Sequence, residues 1–206
     1  MYNFTFNIPT KIHFGKDTIS SLSELKAYGS KVLLVYGGGS IKKNGLYDTA
    51  MKILKDAGLT VFELSGVEPN PKIETVRKGV EICKNEGIDM VLAIGGGSTI
   101  DCSKVVAAGA RYDGDAWDLV LDGSKVKAAL PIFDVLTLSA TGTEMDPFAV
   151  ISDMSKNEKW GTGSPYMVPT MSILNPEYTF SVSKKQTAAG TADMMSHTME
   201  NYFSME

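Results

Sequence analysis

The residues best suited to chemistry sit where apolar runs break into glycine. Met90-Val91-Leu92-Ala93-Ile94 runs into Gly95-Gly96-Gly97, and Ser98 then opens a segment of helical spacing through Thr99-Ile100-Asp101. A buried parallel strand reads as a continuous apolar run, and glycine lets the backbone turn sharply and approach a ligand closely. A helix opening there aims unpaired N–H groups and its positive dipole end into the turn, which suits a phosphate. The pattern repeats at Tyr36-Gly37-Gly38-Gly39-Ser40. Two such turns at the carboxyl ends of parallel strands lie where α/β sheets bind ligands, so the expectation is a nucleotide. Neither turn has the G-x-G-x-x-G spacing, and no Gly-Lys-Ser/Thr follows, so neither a Rossmann fingerprint nor a Walker loop is present. Lys104 follows Ser98 inside the helix and could reach back only from its first turns.

The first turn also bears on the form of the nucleotide. An NAD site places a carboxylate near the strand end to hold the ribose 2′-hydroxyl. Here Gly38-Gly39-Ser40 is followed by Lys42-Lys43, and small donors with nearby cations suit a 2′-phosphate, which favours NADP(H). A second constellation is Asp193 and His197, four apart in a helical pattern and so on one face. A carboxylate and an imidazole one turn apart can share a divalent metal; an ordinary helical ion pair accounts for the spacing equally well. Met194, Met195 and Met199 beside them read as core packing.

The elements needed to position these groups follow from the pattern. A hairpin is expected from Phe4-Thr5-Phe6-Asn7-Ile8 and Lys11-Ile12-His13-Phe14, then a helix capped by Asp17 and ended by Gly29. Strands are expected at Lys31–Tyr36, Thr60–Leu64, the run from Met90 and Pro131–Leu138, with shorter ones at Ala149–Ser152 and Met171–Leu174 bracketing a Gly- and Pro-bearing loop. Helices fall between them: one capped by Asn44, one carrying Ile73, Val76 and Val80, one running from Asp101 to Gly109, and a short one near Trp117–Leu121. Strands alternating with helices predict an α/β doubly wound parallel sheet of Rossmann-like type. From Ser183 the strand signal disappears, and Gln186 to Phe203 reads as a helix. The expected division is a dinucleotide-binding domain at 1–178 and the first helix of an all-helical, metal-binding domain at 179–206.

Composition narrows the classes. A net charge of −4 gives no support to nucleic-acid binding. No apolar run approaches the roughly 20 residues that span a bilayer, and the first residues do not read as a signal peptide. Cys83 and Cys102 lack metal-binding spacing and fall in helical patterns, which suits reduced thiols in a cytoplasmic protein.

Gly95 through Asp101 with Lys104, Thr137 through Glu144, and Gly190-Thr191-Ala192-Asp193 with His197 together resemble the iron-containing (group III) alcohol dehydrogenases. Tyr36 through Gly45 is similar to their NADPH-dependent butanol dehydrogenase branch. The resemblance implies that Gly95, Gly96, Gly97 and Ser98 hold a pyrophosphate and that Gly37, Gly38 and Ser40 surround the adenosine 2′-phosphate. It further implies that Asp101, Thr137, Leu138 and Thr141 line the path to the nicotinamide, and that Lys159 lies near the cofactor. Asp193 and His197 match the first two of the family's metal ligands, for iron or zinc; the remaining ligands, both histidines, come later than Glu206. The chain therefore resembles the N-terminal half of a homodimeric enzyme that interconverts a primary alcohol such as butanol and its aldehyde. No side chain stands out as a general base; cofactor or helix-start contacts account for Asp101. Two other readings are a non-catalytic NADP(H)-binding fragment, and a glycerol dehydrogenase-like relative, which the Gly38-Gly39-Ser40 pattern fits less well. Uncovered apolar surface on the last helix would make such a fragment self-associate.

Overall fold

Runs rich in Val, Leu and Ile bounded by glycine become strands in the computed structural model of the protein, which describes residue 3, residue 5 and residues 7–204. The strands are β1 (Lys11–Phe14), β2 (Lys31–Tyr36), β3 (Thr60–Leu64), β4 (Met90–Gly95), β5 (Ile132–Leu136), β6 (Phe148–Asp153), β7 (Glu158–Gly163) and β8 (Met171–Leu174). The helices are α1 (Ser40–Lys43), α2 (Leu46–Asp56), α3 (Ile73–Glu86), α4 (Gly97–Gly109), α5 (Ala116–Leu121) and α6 (Lys184–Phe203), with a 3-10 helix over Thr18–Tyr28. Six strands form one parallel sheet in the order β1-β8-β5-β4-β2-β3, which is the α/β Rossmann-like arrangement expected.

Alternation along the strands builds a core on each face of the sheet. Leu33, Val35 and Val91 point toward Val76 of α3, Val105 and Val106 of α4 and Trp117 of α5. Val32, Leu34, Leu92, Ile94 and Phe133 pack on Leu22, Leu25, Ala50 and Leu54 from the opposite side. Burying each such leucine contributes roughly 1.5–3 kcal/mol relative to exposure. Packing on both faces therefore fixes where β2 and β4 end, and with them the glycine turns.

Several elements differ from the sequence expectation. Asp17 makes no side-chain cap; it has φ 61°, and the segment after it is a 3-10 helix. The hairpin rested partly on Phe4 and Phe6, which lie outside the described residues, while β1 pairs in parallel with β8. Asn44 accepts from the Leu46 amide at 3.2 Å as expected, although Gly45 occupies the cap position itself. The loop foreseen between Ser152 and Met171 contains β7, which closes an antiparallel hairpin with β6. Its sequence, Glu-Lys-Trp-Gly-Thr-Gly, has little aliphatic character, and half of the strand is exposed. Met194, Met195 and Met199 were expected in a core but are 57%, 59% and 49% exposed, since no described element packs over that part of α6. Among the described residues, no helix is long and apolar enough to cross a membrane.

Candidate functional site: a cleft between two glycine turns

The chain leaves β2 for β3 on one side and leaves β4 for β5 on the other, so the order reverses between the adjacent strands β2 and β4. Open α/β sheets bind ligands at such a switch point. Both glycine turns emerge there and line one cleft of about 430 Å³, within the roughly 300–1,000 Å³ typical of small-molecule sites. Gly37, Gly38, Ser40, Gly95, Gly96, Gly97, Ser98, Thr137 and Leu138, all expected at the site, line it. Val67, Pro69 and Gln186 line it as well; nothing in their local sequence marks them, because they arrive from separate loops and from α6.

Some of these glycines answer to the fold and others do not. Gly39 has φ 97°, which favours glycine, and a Cβ on Gly95 would stand 2.5 Å from Thr99 Oγ1. Gly38 has no such φ and a Cβ there would meet nothing within 4 Å; at Gly97 it would make ordinary contact with Thr143 at 3.6 Å. The fold tolerates a side chain at Gly38 and Gly97, so their glycines fit a ligand that closely approaches the backbone. At the start of α4, Gly96 provides no side-chain cap, and its carbonyl accepts from Thr99 and Ile100. The amides of the first turn and the positive dipole end thus meet the cleft at Gly97 and Ser98, as an anion site requires.

Lys42 is engaged elsewhere. Its Nζ lies 4.9 Å from the Tyr36 ring centroid, 4.4 Å from that of Tyr47 and 3.8 Å from Glu63 Oε2. Glu63 accepts from the Tyr36 and Tyr47 hydroxyls at 2.6 and 2.7 Å. The Tyr36 hydroxyl, then that of Tyr47 and the Lys42 charge, hold the Glu63 carboxyl below its ordinary range despite some burial. Ammonium and carboxylate form a closed, compensated unit beside the first turn.

Lys104 does not reach the glycine turn. Its side chain is wholly buried, and Nζ donates toward Thr143 Oγ1, the Asp146 and Phe148 carbonyls and Asp146 Oδ1 at 2.8–2.9 Å. Burial pulls its pKa down, against the opposing pull of Asp146. Asp101 belongs to the same network, accepting from Thr143 Oγ1 at 2.7 Å and from the Val150 amide at 3.0 Å. Burial raises its carboxyl above the ordinary value, against those two donors. Asp101 and Lys104 together clamp the loop after β5 onto α4, and neither lines the cleft. Thr141 is exposed in that loop and is also absent from the lining. Lys159, on β7, donates to Asn70 Oδ1 at 2.7 Å; it braces the loop that contributes Pro69 without touching the cleft itself.

Helix α6 begins with Ser183 accepting from the Gln186 amide. Gln186 lines the main cleft and, with Leu138, an adjoining cavity of about 190 Å³ that includes Gly190, Thr191 and Met194. Gln186, Gly190, Asp193 and His197 share one helical face by their spacing. His197 Nε2 is 3.7 Å from Asp193 Oδ2, and both side chains are exposed. Among the described residues no group of three or more His, Cys, Asp or Glu is placed to hold a metal ion. The two donors are of the right chemistry for a divalent cation and fit it as part of a larger set.

A parallel sheet with two glycine turns lining a cleft at its switch point, flanked by a helix bearing an aspartate and a histidine, belongs to the doubly wound α/β class that binds ligands at that point. The sequence profile described as "Iron-containing alcohol dehydrogenase" matches residues 9–176, and the chain belongs to that family. It is 62% identical over 205 residues to NADH-dependent butanol dehydrogenase A of Clostridium acetobutylicum, covering 99% of this chain and 53% of the relative. It is 40% identical to the NADPH-dependent aldehyde reductase YqhD of Escherichia coli, covering 98% and 52%. The crystal structure of NADH-dependent butanol dehydrogenase A from Thermotoga maritima superimposes with a TM-score of 0.94 at 49% identity, covering 98% of this chain and 52% of that one. The chain thus spans about half the length of the relatives it matches.

Proposed function

We propose that the whole protein is an alcohol dehydrogenase, or aldehyde reductase, transferring hydride between a nicotinamide dinucleotide and a primary alcohol or aldehyde such as butanol or butanal. The observation that carries this reading is the shared face of α6, on which Gln186 and Gly190 line the cleft system and Asp193 and His197 continue the row. Gly95 through Ser98 bind the pyrophosphate by backbone amides at the start of α4. Thr137 and Leu138 form the wall along which the nicotinamide is oriented, a role of positioning rather than chemistry. Asp193 and His197 would hold a divalent ion, iron or zinc, which when bound supplies Lewis acidity toward the substrate oxygen. The boundary between the cofactor-binding part and the helical, metal-binding part falls after residue 178, beyond the last strand.

Of the two dinucleotides, NAD(H) is the better supported. The case for NADP(H) draws on the small donors Gly38-Gly39-Ser40 where an NAD site places a carboxylate, and on the cations Lys42 and Lys43; of these Lys42 is compensated by Glu63, while Lys43 makes no ion pair among the described residues. The Clostridium relative is named NADH-dependent and the more distant Escherichia coli relative NADPH-dependent. A reducing, cytoplasmic setting suits Cys83 and Cys102, whose thiols burial pushes up to about 12, and the family resemblance carries a homodimer for the whole protein. The 206-residue chain alone, with two metal donors, is read as binding dinucleotide without turnover.

The test is aldehyde reduction by the whole polypeptide, with its metal content measured. NADH oxidation with short aliphatic aldehydes, dependent on bound metal and abolished by His197→Ala, is expected. A folded, metal-loaded preparation inert toward a broad aldehyde panel with either nucleotide overturns the reading.

A further inference from the structure

Resting on the dinucleotide reading above, we infer that Glu63 sets the choice between the two dinucleotides by withdrawing Lys42 from the adenosine end of the cleft. The first glycine turn begins directly after Tyr36 and continues through Ser40 and Ile41, which line the cleft; Lys42 follows immediately. A lysine two residues past a cleft-lining serine is well placed to meet a 2′-phosphate. It is instead packed against the rings of Tyr36 and Tyr47, with Glu63 Oε2 at 3.8 Å. Each tyrosine hydroxyl donates to a different oxygen of Glu63, so the carboxylate has little freedom to swing away.

The electrostatic consequence is a pair with no net charge. A dinucleotide with a free 2′-hydroxyl gains or loses little from such a pair. A 2′-phosphate meets at Lys42 a cation already paired with a fixed carboxylate, and is left with exposed Lys43, which makes no ion pair among the described residues, as the remaining cation of the turn. Glu63 lies on β3, 23 residues beyond Ser40, so no reading of the glycine turn alone reaches it. It acts through Lys42 and the local potential and is a specificity-determining positioning residue.

The two members of the pair have opposite predicted effects. Glu63→Gln keeps a side chain able to accept from a tyrosine and leaves Lys42 uncompensated. Lys42→Met leaves the carboxylate uncompensated. One unit charge several ångströms from a doubly charged phosphate, partly solvated, corresponds to about a fivefold to tenfold change in affinity.

Affinities of the 206-residue chain for NADH and for NADPH are measured by calorimetry for wild type, E63Q and K42M. The expected result is a wild-type preference for NADH, a ratio moved about fivefold or more toward NADPH in E63Q, and a ratio moved the other way in K42M. Partial unfolding lowers both affinities together and leaves the ratio alone, so the ratio isolates the electrostatic effect. Binding of both nucleotides with an unchanged ratio in E63Q, or a shift of the same sign in both variants, overturns this inference and leaves the dinucleotide reading standing. Failure of the wild-type chain to bind either nucleotide overturns both.

Discussion

Asp134, in the middle of β5, is the most buried carboxyl among the described residues. Ser172 Oγ of the neighbouring strand lies 2.6 Å from Asp134 Oδ2 and 2.8 Å from the Glu144 carbonyl oxygen. A hydroxyl has one hydrogen and cannot donate to both. The arrangement closes if Asp134 keeps its proton and donates to Ser172, which donates to Glu144. Burial acts the same way, raising the Asp134 pKa well above its ordinary value, against the Ser172 contact. Because the folded pKa is the higher one, this stabilisation is fully present below the unfolded value of 3.8 and is lost as pH rises through the folded value. Asp134→Asn retains a donor toward Ser172 and cannot ionise. Its stability relative to wild type should therefore improve with pH, read as a denaturation midpoint difference that grows as pH rises from the unfolded value of 3.8 to neutrality. An equal difference at both pH values contradicts a proton-bearing Asp134.

The element that organises the cleft is α4, and its role was only half legible in the sequence. The glycines before it and the apolar strand leading into it were readable, because a buried parallel strand and a helix start each leave a local pattern. β2 and β3 were found at their observed bounds for the same reason: aliphatic runs closed by Gly37 and by Gly29 or Gly58. What the sequence did not disclose was where the polar side chains of α4 go. Lys104 bonds to residues 39 to 44 positions away, and no local spacing encodes such a partner. Gln186, Val67 and Pro69 escaped for a like reason, as the cleft gathers them only once the sheet has formed. Removing one partner of a fully buried, hydrogen-bonded charge pair costs about 3–5 kcal/mol, and because Asp146 is 29% exposed the Lys104 pair falls below that range. Lys104→Met should lower the urea midpoint accordingly and open the segment from Ser139 to Pro147 to proteolysis. An unchanged midpoint with an intact loop would show that the clamp contributes little.

At the scale of the whole molecule, the parallel sheet delivers two glycine turns to its switch point and sets α6 along the same cleft system. The opposite end of α6, with Tyr202 and Phe203 81% and 72% exposed, packs on nothing among the described residues. In the proposed reading, binding and metal chemistry are divided: the cleft is walled by the sheet and its loops, while Asp193 and His197 stand on an open helix. The claim on which the rest depends is that the cleft holds a dinucleotide against the backbone of Gly97. Gly97→Ala separates that claim from folding, because alanine is the better helix former by about 0.8–1 kcal/mol and meets only ordinary contact at 3.6 Å. Calorimetric titration of the wild-type chain with NADH, repeated on Gly97→Ala, is the most direct measurement. The account predicts one site in the wild type, and in the variant an affinity lower by about tenfold or more with stability unchanged or improved. A wild-type chain that takes up no NADH, or a variant that binds it as tightly as wild type, would contradict it.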